Sequence, residues 1–453
     1  MPSESKAAVR EQSRAANESV PAIESSPKLA PLAPKPGAGA RPRVVIVGAG
    51  FGGLAAAMAL RRAPVEVVVI DRRNHHLFQP LLYQVATATL QPAEIAVPIR
   101  RVLRRQSNTE VLLGELRGMD PDQRKVSVDG LQVDYDYLVV ATGSAFSYFG
   151  HPDWAERAPG LKSIEDALTI RRRVLLAFER AETALDEEQR RRHLTFVMVG
   201  GGPTGVELAG AIADMARHTL TPDFRRFDPA TARIVLVEAA PRLLGGMPDD
   251  LAEYARRALE SVGVEVKLNS MVETVDERGV VAGGERIEAD TVIWGAGVAA
   301  SPVGQWLGVE TAKGGRVEVG PDLSMPDRPE VFVIGDAALA LDQRGNPLPG
   351  LAAVAHQQGK FVGRLIAGLV SGSKKRPRFR YRNWGELATV GRQLAVADFG
   401  WIRLKGWLAW WLWGAVHICY LIGFGNRVMV MLEWLWAYLT FRRGARLITG
   451  PAR

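Results

Sequence analysis

One layout occurs twice in this chain and constrains the fold more than any other feature: apolar run, glycine turn, helix-compatible stretch, apolar run ending on an acid. The first copy reads Arg43-Val-Val-Ile-Val-Gly48-Ala-Gly50-Phe51-Gly52-Gly53, then Leu54 to Arg62, then Val65 to Ile70 and Asp71. Gly48 and Gly50 permit a tight turn and a close backbone approach to a pyrophosphate. Gly53 lets the helix pack on its strand, and the helix N-terminus faces the phosphate charge. Asp71 is placed to take ribose hydroxyls. The second copy reads Leu194-Thr-Phe-Val-Met-Val-Gly200-Gly-Gly202-Pro203-Thr204-Gly205-Val-Glu207, and its next strand, Ile234 to Val237, ends on Glu238. That acid comes later than the usual spacing of about 20 residues, so an insertion over His218 to Arg233 is expected to lengthen the connection. A lone glycine fingerprint is weak; two in order, each in a βαβ context, imply two bound dinucleotides and electron transfer between them.

The first unit is not complete when the second begins. Tyr135-Asp-Tyr-Leu-Val-Val-Ala141-Thr142-Gly143 reads as a buried strand ending in a turn, and much later Val331-Phe-Val-Ile-Gly335-Asp336-Ala337 reads the same way. This arrangement resembles the two-dinucleotide flavoprotein reductases, which implies an FAD domain, an inserted NAD domain and a return to the FAD domain. The expected class is α/β: two Rossmann-like dinucleotide-binding domains followed by C-terminal amphipathic membrane-attachment helices. The expected boundaries are a disordered extension over 1–41, FAD-binding domain over 42–160, NAD-binding domain over 161–325, FAD-binding return over 326–380 and attachment region over 381–453. The resemblance also implies that Asp336 bonds the flavin ribitol and that Ala141, Thr142 and Gly143 pass near the FAD.

Composition narrows the chemistry. The chain has 453 residues, enough for about three domains, and 47% hydrophobic residues to fill their cores. It has one cysteine, Cys419. A redox-active cysteine pair is therefore excluded, and with it thioredoxin-reductase-like or glutathione-reductase-like chemistry and thiolate-borne sulfide oxidation. No Cys/His cluster has metal-ligand spacing, so no metal site is expected. Met1 to Arg41, rich in Ala, Pro, Ser and charge without an apolar core, resembles neither a secretory signal nor a transit peptide.

Charge and tryptophan concentrate at the other end. From Ser373 to Arg453 there are fourteen Lys/Arg against three Asp/Glu, a net of +11 in a chain whose total is +8, leaving about −3 elsewhere. The same stretch holds Trp384, Trp401, Trp407, Trp410, Trp411, Trp413, Trp434 and Trp436. These lie inside apolar runs rather than alternating with cations, which argues against a nucleic-acid surface. Gly406 to Gly425 and Val428 to Phe441 are nearly apolar, bracketed by Arg403, Lys405, Arg427, Arg442 and Arg443. Twenty helical residues reach about 30 Å, enough to span a hydrocarbon core, but tryptophans within the run and interrupting glycines favour helices lying in the interface. A homodimer interface is the alternative use of the same apolar surface.

The residues are, finally, similar to those of the type II NADH:quinone oxidoreductases, over roughly Arg43 to Ile448. The run from Asp71 through Arg72, Gln84 and Val85 to Ala86 resembles the family's segment near the flavin. Val199 to Gly210 resembles its NAD motif, including Glu207 beside the nicotinamide, and Trp294-Gly-Ala296-Gly297-Val298 also matches. Ala352-Ala-Val-Ala355-His356-Gln357-Gln358-Gly359 resembles the quinone-site signature Ala-Gln-x-Ala-x-Gln-x-Gly, with Ala353 in place of the first glutamine. The resemblance implies FAD as cofactor, NADH as substrate, a membrane quinone as acceptor, a lipid membrane surface as partner, and a peripheral position on the cytoplasmic face of the cell membrane. Glu207, His356 and Gln357 are candidates for catalysis. Glu207 is otherwise a carboxylate favoured by its helix's first turn, and His356 a satisfied, partly buried imidazole. Gln357 and Gln358 line a polar mouth or cap the helix that follows. Glu238 is expected to favour NADH by repelling a 2′-phosphate. Rival readings are a soluble NAD(P)H-dependent flavin reductase serving a ferredoxin- or rubredoxin-like partner and a non-catalytic, membrane-tethered NADH sensor.

Overall fold

Residues 30–32, 41–440 and 444–449 are described by the computed structural model. The expected disorder of the N-terminal extension falls mostly outside them, as do Arg442 and Arg443. Where the extension is described it is ordered differently from expectation: Ala30–Pro31 pairs in parallel with Leu131 and Gln132.

The first βαβ unit is β1 (Arg43–Val47), α1 (Phe51–Ala59) and β2 (Glu66–Asp71), followed by α2 (Leu82–Ala86), α3 (Pro92–Ile95), α4 (Ile99–Leu103), β3 (Thr109–Leu113) and β4 (Tyr137–Val140). The chain then leaves through α5 (Ile164–Glu182) into β5 (Thr195–Val199), α6 (Pro203–Asp214), β6 (Arg233–Val237), α7 (Asp249–Ser261), β7 (Val264–Lys267) and β8 (Thr291–Trp294). It returns as β9 (Ser324–Met325), β10 (Arg328–Val333) and α8 (Ala352–Val370). The first sheet has the order β9-β10-β4-β1-β2-β3 and the second β7-β6-β5-β8. All pairings are parallel except β9 with β10. In both sheets the order reverses beside the first strand of the unit, and a crevice opens there at the strands' carboxyl ends.

Continuous apolar runs are required because both faces of each sheet are covered. Val44 and Ile46 pack under α1, α4 and α8, while Val45 and Val47 face a layer built from Leu116, Val126, Val128 and Val133. In the second sheet Phe196 and Met198 face α5 and α6, and Val197 and Val199 the opposite cluster. The insertion expected after α6 is a π-helical turn, Met215–Thr219, and a loop closed by Pro229–Thr231.

The return to the first domain starts earlier than 326. Val298–Ala300 already pairs with Ser144–Phe146, and Val317–Glu318 pairs with Ala338–Leu339. These pairings are too short to leave an alternating pattern in the sequence. The region from 381 also differs from expectation. β11 (Glu386–Thr389), β12 (Ala395–Asp398) and β13 (Arg403–Gly406) form an antiparallel sheet, whose Ala388, Val396 and Ala397 are fully buried in the same core as α6 and α7. Only then come α9 (Trp407–Tyr420) and α10 (Phe424–Thr440). No helix among the described residues is long and apolar enough to cross a membrane.

Candidate functional site

Two cradles lie at the carboxyl ends of β1 and β5, and the same local geometry builds both. Gly48 and Gly200 have φ of +97° and +105°. A side chain at Gly48 would strike Ala141 O at 2.3 Å, and one at Gly200 would meet Ala296 N at 2.7 Å. Each turn is thus pressed against the turn expected beside it, Ala141-Thr142-Gly143 and Ala296-Gly297 respectively. Gly53 and Gly205 are held just as tightly, 1.8 and 1.9 Å from a carbonyl oxygen for an added Cβ. Gly50 and Gly202 are different: nothing lies within 4 Å of an added Cβ at either. Both cap a helix N-terminus, of α1 and of α6 with Pro203 and Thr204 in its first turn. The open space beside them is where backbone donors and helix dipole favour a pyrophosphate.

The acids behind the cradles do equivalent work. Asp71 accepts from Ala49 N at 2.6 Å and Arg73 N at 2.8 Å, and Glu238 accepts from Gly201 N at 2.5 Å and Ala240 N at 2.7 Å. Each carboxylate is fixed beside its turn with lone pairs remaining for ribose hydroxyls. Arg72 is exposed, and Val85 is fully buried in the apolar core. Val85, expected among cofactor contacts, is a core side chain because α2 packs against α5 and α6.

Around the first cradle several groups converge. Asp336, after Gly335 at φ +71°, accepts from Ser144 Oγ at 2.6 Å, and Ser144 in turn accepts from Lys162 Nζ at 2.6 Å. Burial holds the Lys162 ammonium below the usual lysine value, opposed by the charge of Asp336. Gln358, 1% exposed, accepts from Gly335 N at 2.6 Å and so sets the turn that presents Asp336. Thr142 Oγ1 lies 2.6 Å from Ser301 Oγ. Phe51 stacks edge-on against His76 and Phe78. His76 Nδ1 is 3.0 Å from Ala49 O, which fixes Nδ1 as the donor; its buried Nε2 has no partner among the described residues. An orphaned acceptor beside an open glycine cradle, with a ribose-type acid and a polar Asp336 turn, fits an FAD. Sequence reasoning missed Lys162, Ser144 and His76; only His76 falls inside the run from Asp71 to Ala86 that resembles the family's flavin-side segment.

The quinone-signature residues divide. Ala355 packs against Gly52 and Gly335, and Gly359 sits where an added Cβ would be 1.9 Å from Gly52 O, so this end of α8 lies on the first cradle. His356 is partly buried there, and burial and then Lys360 hold its imidazole below the usual value. Gln357 is turned away: its Nε2 donates to Arg382 O at 2.9 Å and its Oε1 accepts from Arg382 N at 3.0 Å. Gln357, expected among the catalytic residues, here has both ends of its amide engaged by the Arg382 backbone.

Glu207 is buried on α6, with Thr389 N at 3.4 Å from its Oε1. Burial pushes its carboxyl up to about 8, only partly opposed by that hydrogen bond. Thr389 Oγ1 lies 3.1 Å from Tyr83 OH, Gln84 Nε2 donates to Tyr83 OH at 3.0 Å, and Trp434 Nε1 donates to Gln84 Oε1 at 2.7 Å. One polar cluster thus joins the inserted domain, the first domain, the added sheet and α10. It borders a cavity of about 110 Å³ whose walls include Tyr83, Gln84, Trp410, Trp413 and Trp434. Tyr83 and Thr389 were not singled out from sequence, and Trp434 was read only as a tail tryptophan, since residues up to 350 positions apart meet here.

The fold and paired cradles define a flavin- and nicotinamide-binding oxidoreductase, and the model of the pyridine nucleotide-disulphide oxidoreductase family matches residues 42–359. The model of the NDH2 C-terminal domain matches residues 384–443. The chain belongs to the type II NADH:quinone oxidoreductases. It is 45% identical to the Mycobacterium tuberculosis enzyme Ndh over 94% of this chain and 93% of that one, and 44% identical to its NdhA over 91% and 90%. Its fold is also that of Plasmodium falciparum NDH2 solved with NADH, with a TM-score of 0.82, 19% identity and coverage of 90% and 100%. The disulphide of the broader family name has no counterpart here, since Cys419 is the only cysteine and is exposed.

Proposed function

We infer that this chain oxidises NADH and reduces a quinone at a membrane surface. The carrying observation is the pair of open cradles at Gly50 and Gly202, each backed by a carboxylate. FAD, when bound, accepts hydride from NADH and passes two electrons to the quinone. The chain's own residues do the rest. Gly50, Asp71, Asp336 and His76 hold the flavin nucleotide, and Gly202 with Glu238 holds NADH. Glu207, protonated at neutral pH, keeps a proton within reach of Thr389 and Tyr83 at the cavity wall, and neutral His356 lines the quinone side. Gln357 positions the segment around Arg382.

Trp413, Ala409, Leu421 and Val430 bury into the body, each large apolar group contributing roughly 1.5–3 kcal/mol. Trp407, Trp411, Phe424, Leu435 and Leu439 stay exposed by 56% or more. This side of α9 and α10 is assigned to the lipid interface on the cytoplasmic face, with the cavity beneath it as the quinone entrance; a homodimer is the competing use of the surface. The test is turnover of the purified flavoprotein with a quinone and NADH or NADPH. Stopped-flow on His356→Ala follows: NADH should bleach the flavin at the native rate and quinone reoxidation should slow. Equal loss of both half-reactions would remove His356 from the quinone side.

A further inference from the structure

On the sheet face covered by α1, α4 and α8, the charged side chains that these elements and the strap after α8 carry are all cationic, one of them, Arg376, paired with Asp322 at 2.7 Å. Arg61 and Arg62 follow α1; Arg100, Arg101, Arg104 and Arg105 lie on or just after α4; Lys360 and Arg364 lie on α8, and all are exposed. A strap then leaves α8 as Lys374-Lys-Arg-Pro-Arg-Phe-Arg-Tyr-Arg382. Along it Phe379 and Tyr381 are half-buried while Arg378, Arg380 and Arg382 are exposed, the period-2 alternation of extended chain. The strap is pinned by Phe379 N on Pro321 O at 2.7 Å, by Phe379 against Phe361, and by the Gln357 clamp. No Asp or Glu occurs between Arg344 and Gly385, in Leu54–Val65, or in Ile99–Thr109. Helix dipoles account for a cation or two at a C-terminus, not for Lys360, Arg364 or the strap. An ordinary solvated surface mixes both signs.

This cationic layer meets the apolar tail directly. Ile422, between α9 and α10, packs into the layer's core, Asn426 donates to Ala93 O and Glu94 O just before α4, and Trp384 at the strap's end contacts Tyr420. We propose that the outer face of α1, α4, α8 and the strap docks on anionic lipid headgroups beside the inserted tail. The proposal rests on the membrane-surface reading and deepens it by naming the lipid charge. The apolar helices supply insertion independent of headgroup charge, and the cations select the lipid and fix which side of the molecule lies down.

The test is co-flotation of the holoenzyme with vesicles of phosphatidylcholine alone or with about one-third phosphatidylglycerol, each cation near the surface being worth on the order of fivefold in affinity. The native protein should favour the anionic vesicles, and salt should erase the preference. R100Q/R101Q/R104Q/R105Q should lose most of that preference yet keep its binding to phosphatidylcholine, its flavin and its turnover with a soluble quinone. R378Q/R380Q, on a separate element, should lose part of it and covers the case in which the α4 variant fails to fold. Equal binding of the native protein to both vesicles, an unchanged preference in both variants, or preferential capture by double-stranded DNA at matched salt would overturn the proposal while leaving the tail's role intact. Binding to neither vesicle would overturn the membrane-surface reading as well.

Discussion

Glu207 shows how burial alone turns a common side chain into a proton store. Its carboxyl, held at about 8, stays protonated in the folded protein over a range in which the unfolded chain releases that proton. The folded state therefore binds the extra proton between the usual carboxylate value and about 8, and stability falls as pH rises through that window. Glu207→Gln should flatten the slope, gaining on the order of a few kcal/mol over the native protein at about pH 9 and little at about pH 4. Urea midpoints at the two pH values read it directly; parallel slopes would mean the carboxyl ionises normally. Glu238 is proposed to act through charge instead. Its two backbone bonds fix it beside Gly201, so Glu238→Gln should narrow the NADH/NADPH preference by about an order of magnitude, chiefly in KM, with flavin content unchanged.

At the scale of elements, the tail is two things in one stretch of sequence. β11 to β13 complete a core with α6 and α7, and Gly210 faces the backbone of Gly391 so closely that an added Cβ would lie 2.5 Å from its N. A chain ended after Arg380 should consequently lose solubility and flavin, because Ala388 and Val396 leave a core that α6 then exposes. The proposed apolar attachment is separable from that core on the outer faces of α9 and α10. Trp411→Ser combined with Leu435→Ser, at positions 60% and 56% exposed, should retain the native melting temperature and flavin but release the protein from vesicles. Unchanged vesicle binding by that variant would move the attachment elsewhere on the molecule.

Across the whole molecule, the two cradles are distinct enough to be disabled one at a time. Gly50 and Gly202 have φ near −70° and no neighbour within 4 Å of a Cβ, so the fold accepts a side chain at either. Only a bound pyrophosphate would not. Gly202→Val should leave a yellow protein whose flavin NADH no longer bleaches, whereas Gly50→Val should yield a folded protein without flavin. Absorbance spectra and stopped-flow mixing with NADH separate these outcomes; flavin loss from both variants would mean the sites are not independent.

The βαβ units, their glycines and acids, and the apolar tail were legible in the sequence because each depends on neighbours a few residues away: a φ of +97° at Gly48, a helix start at Gly50, an apolar run at Val67 to Ile70. The family resemblance carried the rest of the expected site. What only the tertiary structure decided is which polar groups meet. Gln357 lies next to Gln358 in sequence, yet one clamps Arg382 and the other holds Gly335, since consecutive helical residues point about 100° apart. The Glu207, Thr389, Tyr83, Gln84 and Trp434 cluster draws on four separate segments, and the cationic face on three helices and a strap. Hydrogen bonds and surface fields depend on distance in space, and a linear pattern records distance only along the chain.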